Sequence, residues 1–191
     1  MNRVRGVWLA LLLVPFLAAP AAAGVAVGGF GGYNFTILQD DAGSGALFGF
    51  KAKIGAPVVV LEPTITFISV GDKENEDEDV GTFMQKGGSI ASYELNASFG
   101  SLRTEPGVGL WVGGGVGAYS LKSDLDYVED QTRFGFNVGT GLVFKAGAKF
   151  DVEIGGRFYV ISLDGGGSRK SAGVYGGLNY YFGFGGGGEV K

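Results

Sequence analysis

The chain has 191 residues, among them 38 glycines and 15 phenylalanines but no cysteine and no histidine, and its formal net charge is −4. Without histidine or cysteine it lacks the residues for a Ser-His-acid triad, a thiol redox centre, a disulfide or an ordinary zinc, haem or iron–sulfur site. Hydrophobic residues make up 46% of the chain and charged residues only 18%, which excludes an intrinsically disordered protein. The composition predicts a folded domain that is not an enzyme and carries no cofactor.

Residues 1–23 have the pattern of a secretory signal peptide. Arg3 and Arg5 form a positive start, a short apolar run follows, and three alanines precede Gly24 as an A-x-A type cleavage site. We therefore expect the mature chain to begin at Gly24. Loss of the two arginines leaves 13 basic against 19 acidic residues, a net charge of −6. Such an acidic exported chain is predicted to have no nucleic-acid partner.

The rest of the chain alternates apolar and polar residues with a period of two, which is typical of β-strands. The alternation predicts eight strands: Val25–Leu38, Ala46–Gly55, Val58–Val70, Ser89–Leu102, Val108–Leu121, Arg133–Lys145, Lys149–Ile161 and Ser171–Phe182. All of them have ten or more residues. Tilted membrane-spanning strands need about 9–11 residues, whereas strands of soluble domains usually have about 5–6. Strand length therefore favours a membrane barrel.

The connections between these strands alternate in length. Long connections follow the odd-numbered strands and short turns follow the even-numbered ones. The long connections are Gln39–Gly45, Gly71–Gly88, Lys122–Thr132 and Ser162–Lys170. Bacterial outer-membrane barrels have short periplasmic turns and longer outer loops. We predict that residues 24–184 form an all-β, eight-stranded antiparallel up-and-down transmembrane β-barrel, followed by a short Gly-rich tail at 185–191.

The two faces of the predicted sheet differ in chemistry, although alternation alone does not say which face is inside. One face carries mostly aromatic and aliphatic residues, and the other carries polar and charged residues together with glycines. Gly139 and Gly141 on the polar face suit the crowded lumen of a narrow barrel, where small residues alternate with bulky ones such as Trp111 and Tyr159. This favours a polar lumen and an apolar outer wall. The alternative is a soluble, lipocalin-like barrel with the faces exchanged.

Seven charged residues on the polar face are the candidate site residues: Lys51, Lys53, Glu62, Glu94, Asp151, Glu153 and Arg157. Buried charges are tolerated only when they are paired, and eight strands leave an interior just wide enough for side chains. We interpret the set as an internal salt-bridge network that plugs the barrel, with Glu62, Glu153 and Arg157 at its centre. The alternative is a narrow ion path or a ligand site.

The glycine- and aromatic-rich strands resemble the small outer-membrane β-barrel superfamily, which includes the transmembrane domain of OmpA and the OmpW- and opacity-type barrels. Besides the signal peptide, four segments carry the resemblance: Val112–Tyr119, Phe134–Gly141, Gly155–Tyr159 and Gly176–Phe182. The resemblance covers the whole mature chain. It implies a fold and a location in the outer membrane of a Gram-negative bacterium, but not an activity.

The same resemblance implies partners. Outer-membrane lipids and lipopolysaccharide would surround the barrel, and the barrel-assembly machinery would recognise the last strand through Gly177, Tyr180 and Phe182. The chain departs from relatives that end on the final aromatic residue, because nine residues follow Phe182. Some relatives modify lipid A with a histidine-assisted serine, and the missing histidine argues against that activity here.

Two predicted outer loops are acidic, around Asp72–Asp79 and Asp124–Asp130. Carboxylates suit calcium or magnesium, but Val80 stands where an EF-hand loop requires glycine, so we predict no metal site. We interpret the chain as an outer-membrane barrel with a structural or surface-interaction role that displays acidic extracellular loops. The alternative is a channel or carrier for ions or small solutes. The pattern makes no prediction of oligomeric state.

Overall fold

The computed structural model describes residues 24–37, 43–56, 58–77, 81–103, 105–123, 130–164 and 166–184. These residues form ten strands: β1 (Gly24–Thr36), β2 (Gly45–Gly55), β3 (Val60–Val70), β4 (Lys73–Asp77), β5 (Gly81–Gln85), β6 (Gly88–Phe99), β7 (Gly107–Ser123), β8 (Gln131–Lys145), β9 (Phe150–Ser162) and β10 (Ser168–Phe184). The predicted signal peptide, the tail and the acidic residues between 124 and 129 lie outside the described residues. In the described part of the chain, no helix has the length and hydrophobicity needed to cross a membrane.

Eight of the strands close into one barrel in the order β1-β10-β9-β8-β7-β6-β3-β2. Every neighbouring pair is antiparallel, and the last strand pairs with the first. Closure removes the two free edges that an open sheet would expose. The prediction of an all-β, eight-stranded up-and-down barrel is confirmed.

The barrel has two unlike ends. Three short turns, which join β2 to β3, β6 to β7 and β8 to β9, lie at the end where β1 begins and β10 finishes. We call this the turn end, and we call the opposite end, where the longer connections lie, the loop end. The predicted alternation of loop length is present only in part, because the β6–β7 connection at the turn end (100–106) is as long as the β7–β8 connection (124–130) and longer than the β9–β10 connection (163–167).

The predicted long connection Gly71–Gly88 contains two strands that the sequence analysis did not predict. The segment contains β4 and β5, which pair as a separate two-stranded sheet outside the barrel. At its base, the Asp72 carboxylate accepts hydrogen bonds from the Gly87 amide at 2.8 Å and from the Lys86 ammonium at 3.2 Å. These contacts hold the pKa of Asp72 below its usual value. The hairpin is therefore anchored where it leaves the loop end.

The prediction that the fourth barrel strand reaches Leu102 is also wrong. That strand, β6, ends at Phe99. Gly100 follows with a φ of +78°, a conformation that glycine adopts without the steric cost of a Cβ. The chain reverses there, and Ser101 and Leu102 enter the lumen, where they are 0% and 1% exposed.

The wall of the barrel is apolar on the outside. Exposed large hydrophobic side chains point outward from every barrel strand, with exposed fractions from 37% at Phe67 to 69% at Leu110. Residues at alternate positions point inward and are buried, and this alternation of buried and exposed side chains is clearest along β2 and β3. The strands thus direct the buried charged side chains into the lumen, together with some hydrophobic ones, and cover the outer wall with hydrophobic side chains.

Candidate functional site: the charged layer of the lumen

The strands bring all seven predicted lumen residues to inward-facing positions. β2 supplies two lysines, β3 and β6 one glutamate each, and β9 the remaining three residues. None is more than 6% exposed: Lys51 5%, Lys53 0%, Glu62 1%, Glu94 5%, Asp151 0%, Glu153 1% and Arg157 6%. Their spacing explains this, because residues two apart on a strand share a face.

Four of these residues form a lysine–carboxylate cluster of Lys51, Lys53, Asp151 and Glu153. The Lys51 ammonium lies 2.6 Å from Glu153 Oε1, and the Lys53 ammonium lies 2.8 Å from Glu153 Oε2 and 3.9 Å from Asp151 Oδ2. The Tyr175 hydroxyl also donates to Glu153 Oε1 at 3.0 Å. Glu153 is therefore the carboxylate that both lysines share.

Neutral donors complete the coordination of Asp151 within this cluster. Asn179 Nδ2 donates to Asp151 Oδ1 at 2.6 Å, and the Tyr181 hydroxyl donates to Asp151 Oδ2. Such hydrogen bonds offset the cost of removing a carboxylate from water. Both donors come from β10, so the cluster ties the last strand to β9 and β2.

Arg157 and Glu62 form a second ion pair. Arg157 Nη2 lies 3.2 Å from Glu62 Oε2, and Arg157 Nη1 donates to Asn137 Oδ1 at 2.8 Å. The Ser98 hydroxyl donates to Glu62 Oε1 at 2.6 Å, and the guanidinium carbon lies 5.4 Å from the centre of the Trp111 ring. The structure pairs Arg157 directly with Glu62 and places Glu153 with the lysines instead.

Glu94 differs from the other buried carboxylates. It accepts hydrogen bonds from the Ser92 hydroxyl at 2.5 Å and from Asn137 Nδ2 at 2.8 Å, and none of the ion pairs among the described residues includes it. Asn137 also donates to Asn96 Oδ1 at 2.8 Å. Asn137 thus links Glu94 to Arg157. Sequence reasoning did not single out this asparagine, although its inward position on β8 was visible in the alternation.

The buried charged side chains of the described residues together form what we call the charged layer. Opposite charges balance in this layer. The buried charged side chains of the described residues are four cations and four anions, counted as Lys51, Lys53, Lys145 and Arg157 against Glu62, Glu94, Asp151 and Glu153. No three acidic side chains of the described residues converge in a way that could hold a metal ion. The arrangement is that of a neutral, hydrogen-bonded core.

Apolar clusters lie on both sides of the charged layer. The larger one fills the lumen toward the loop end and comprises Leu47, Ile68, Val70, Ile90, Trp111, Tyr119, Tyr159, Ile161 and Tyr175. The smaller one lies at the turn end and comprises Ala26, Val60, Leu102 and Tyr181. Side chains therefore occupy the lumen along its length, as the narrow bore of an eight-stranded barrel leads one to expect.

The glycines of β9 show how closely these side chains are packed. A Cβ on inward-facing Gly155 would lie 2.6 Å from the Trp111 ring, whereas a Cβ on its outward neighbour Gly156 would meet only a backbone oxygen at 3.5 Å. Overpacking a core typically costs about 1–3 kcal/mol. We expect Gly155→Val to lower the free energy of unfolding in detergent by that amount and Gly156→Val to change it little. Equal effects of the two substitutions would contradict this packing.

The three residues of the predicted assembly signal lie on β10. Gly177 pairs with Phe30 of β1 and Glu153 of β9. Tyr180 and Phe182 lie on the outer wall near the turn end, with their ring centres 5.3 Å apart. Their recognition by the assembly machinery stays a prediction.

No protein-family model and no curated protein matches the chain. Several solved structures have a similar fold. Neisserial surface protein A (NspA), from Neisseria, has a TM-score of 0.61 and 16% identity, with 84% of this chain and 97% of that chain covered. The N-terminal β-barrel domain of Pseudomonas aeruginosa OprF has a TM-score of 0.56 and 17% identity over 83% and 97% of the two chains. A major outer membrane protein from Thermus thermophilus has a TM-score of 0.51 and 13% identity over 84% and 100%. At such identities the similarity shows a shared fold.

Proposed function

We propose that this chain, which has the fold of the small outer-membrane β-barrels, is a bacterial outer-membrane protein with a structural or surface-interaction role. The observation that carries the proposal is the arrangement of its faces. Charged side chains are ion-paired or hydrogen-bonded in a lumen occupied by side chains, and large hydrophobic side chains cover the outer wall. A structural protein of the membrane needs such a wall, and it needs no open lumen.

The outer wall supports a location in lipid. Large exposed apolar surfaces are rare on soluble monomers, but a lipid-facing barrel requires an apolar band flanked by aromatic girdles. Aromatic residues meet at both ends of this wall: Phe150 and Tyr180 at the turn end, with ring centres 5.1 Å apart, and Tyr33 and Phe35 toward the loop end, at 5.1 Å. Closure also satisfies the backbone groups that lipid cannot hydrogen-bond.

The lumen favours a structural role over a channel. A conducting barrel needs a continuous aqueous path, whereas here the charged layer lies between two apolar clusters. Its balanced charges give no net field to attract one sign of ion. The barrel then acts as a rigid support for the connections at its loop end.

Those connections carry the surface-interaction part of the proposal. On the β4–β5 hairpin, the side chains of Glu74 and Glu76 are exposed, and Asp72 lies at its base. Exposed carboxylates favour cationic partners or divalent ions at an anionic lipopolysaccharide surface. We also propose that residues 1–23 are removed on export. The barrel-assembly machinery then recognises the last strand through Gly177, Tyr180 and Phe182.

Reconstitution in lipid tests the proposal. Protein expressed from the full sequence and extracted in detergent should float with phospholipid vesicles, and planar bilayers that contain it should show no steady conductance. A sixteen-stranded porin, whose lumen is an aqueous channel, serves as the positive control. Solubility without detergent would contradict the membrane location, and a steady single-channel current would favour the channel function instead.

A further inference from the structure

The connection between β6 and β7 begins with residues 100–103, which turn into the barrel at its turn end. Ser101 is 0% exposed and Leu102 is 1% exposed. Leu102 packs in one cluster with Ala26 of β1, Val60 of β3 and Tyr181 of β10. A short turn that merely joins two strands would leave its side chains in solvent. Here residues 100–103 enter the turn end of the lumen, and we call these four residues the strap.

Hydrogen bonds from side chains of β2 and β8 hold the strap inside. The Lys53 ammonium donates to the Ser101 carbonyl oxygen at 2.8 Å, and the Lys145 ammonium donates to the Arg103 carbonyl oxygen at 2.5 Å. The Ser98 and Ser101 hydroxyl oxygens are 2.5 Å apart. Two buried lysines therefore each use a strap carbonyl as a partner, which links the strap to β2 and β8.

The strap lies against the seam where the barrel closes. Pairing between β1 and β10 is irregular at the turn end, because Val25 pairs with Gly183 but Ala26 pairs with Tyr181. Ala26 and Tyr181 are thus the first regular pair of the seam, and both belong to the cluster that Leu102 fills. The Lys145 ammonium also lies 4.1 Å from the centre of the Tyr181 ring.

We propose that the strap holds the closing seam shut from inside and that it must leave the lumen before the turn end of the seam opens. Burial of Leu102 requires Ala26 and Tyr181 to be together, so a seated strap and a closed seam stabilise each other. The lysine bonds add to this coupling, because an opened strap leaves two buried ammonium groups with fewer partners. This device goes beyond the proposed function and depends only on the barrel.

Hydrogen exchange on a matched pair of leucines tests the coupling. Leu102 and Leu47 are both 1% exposed, but Leu47 belongs to the loop-end cluster. We expect Leu102→Ala to accelerate exchange of those amides of residues 24–28 and 179–184 that bond across the seam by about tenfold or more relative to amides in the β7–β8 pair, as local opening would. Leu47→Ala should leave that ratio unchanged. An unchanged ratio in Leu102→Ala, or the same ratio in both variants, would overturn the proposal.

Cysteine labelling gives a second measurement, which reports the accessibility of the strap itself. The chain has no cysteine of its own, so a single introduced thiol reports one position. Leu102→Cys should react with a maleimide on the order of tenfold more slowly than Val58→Cys at the same end, because Val58 is 71% exposed. Adding Lys145→Met should accelerate labelling at position 102, and adding Lys149→Met should not. Equal labelling at 102 and 58, or no effect of Lys145→Met, would contradict the proposal.

Discussion

Replacing Arg157 with alanine should cost the barrel about 3–5 kcal/mol of unfolding free energy, which is the effect of breaking a buried ion pair by removing one partner. Glu62 would lose its cation, 3.2 Å away, while remaining 1% exposed. Asn137 would lose a charged donor at 2.8 Å, and the Trp111 ring would lose the guanidinium over its face. Urea unfolding of the folded protein in detergent measures the loss directly.

Two further substitutions test whether the loss of stability comes from the buried ion pair. Arg133 pairs with Asp164 at the loop end, where the side chains are 25% and 71% exposed. Arg133→Ala should therefore cost less than about 1 kcal/mol, as exposed ion pairs do. Adding Glu62→Gln to Arg157→Ala should recover part of the stability, because it removes the uncompensated charge. An additive loss in the double variant would show that packing, and not charge pairing, determines the effect.

Glu153→Gln should have a comparable effect, about 3–5 kcal/mol, because it leaves two buried ammonium groups without the carboxylate they share. Lys51 and Lys53 lie 2.6 and 2.8 Å from its two oxygens. Asp151 is the nearest remaining anion to Lys53, at 3.9 Å. The change removes a charge and almost no volume, so a loss of stability reports electrostatics. The urea midpoint of the refolded protein is again the measurement.

Glu94→Gln provides the matched control, since it makes the same chemical change at a buried carboxylate with neutral partners. The oxygen of the new amide can still accept from Asn137 Nδ2, and the Ser92 hydroxyl can rotate to accept from the amide nitrogen. The exchange of a charge for a neutral group also removes a desolvation cost. We expect a change within about 1 kcal/mol, the size of one ordinary hydrogen bond. Equal losses at positions 94 and 153 would refute the distinction between the two sites.

Much of the barrel could be predicted from the sequence because the outer wall and the lumen impose opposite demands on alternate residues. The spacing of Lys51 and Lys53, or of Asp151 and Glu153, is enough by itself to place both members of each pair on one face of a strand. The strand ends were harder to predict. β3 begins at Val60 and not at Val58, because the apolar residues at 58 and 59 belong to an exposed turn and not to the sheet.

Three features could not be predicted because they depend on contacts between distant segments. The alternation says that Glu62, Glu153 and Arg157 face inward, but the register between strands decides that Arg157 meets Glu62. Leu102 looks like the last residue of a strand until Gly100 turns the chain into the lumen. The β4–β5 hairpin is short and charged, so its sequence resembles that of a solvated loop.

The pairing of β1 with β10 makes this barrel an all-or-none structure. Gly24 is paired with Phe184, 160 positions later in the chain, so the contact that completes the wall has almost the largest sequence separation available. Contacts of this kind are slow to form. A chain interrupted anywhere before β10 would leave β1 and its own last strand as open edges, which lipid does not tolerate. Premature stop codons within the last strand should therefore prevent formation of the closed barrel as completely as stops near the start.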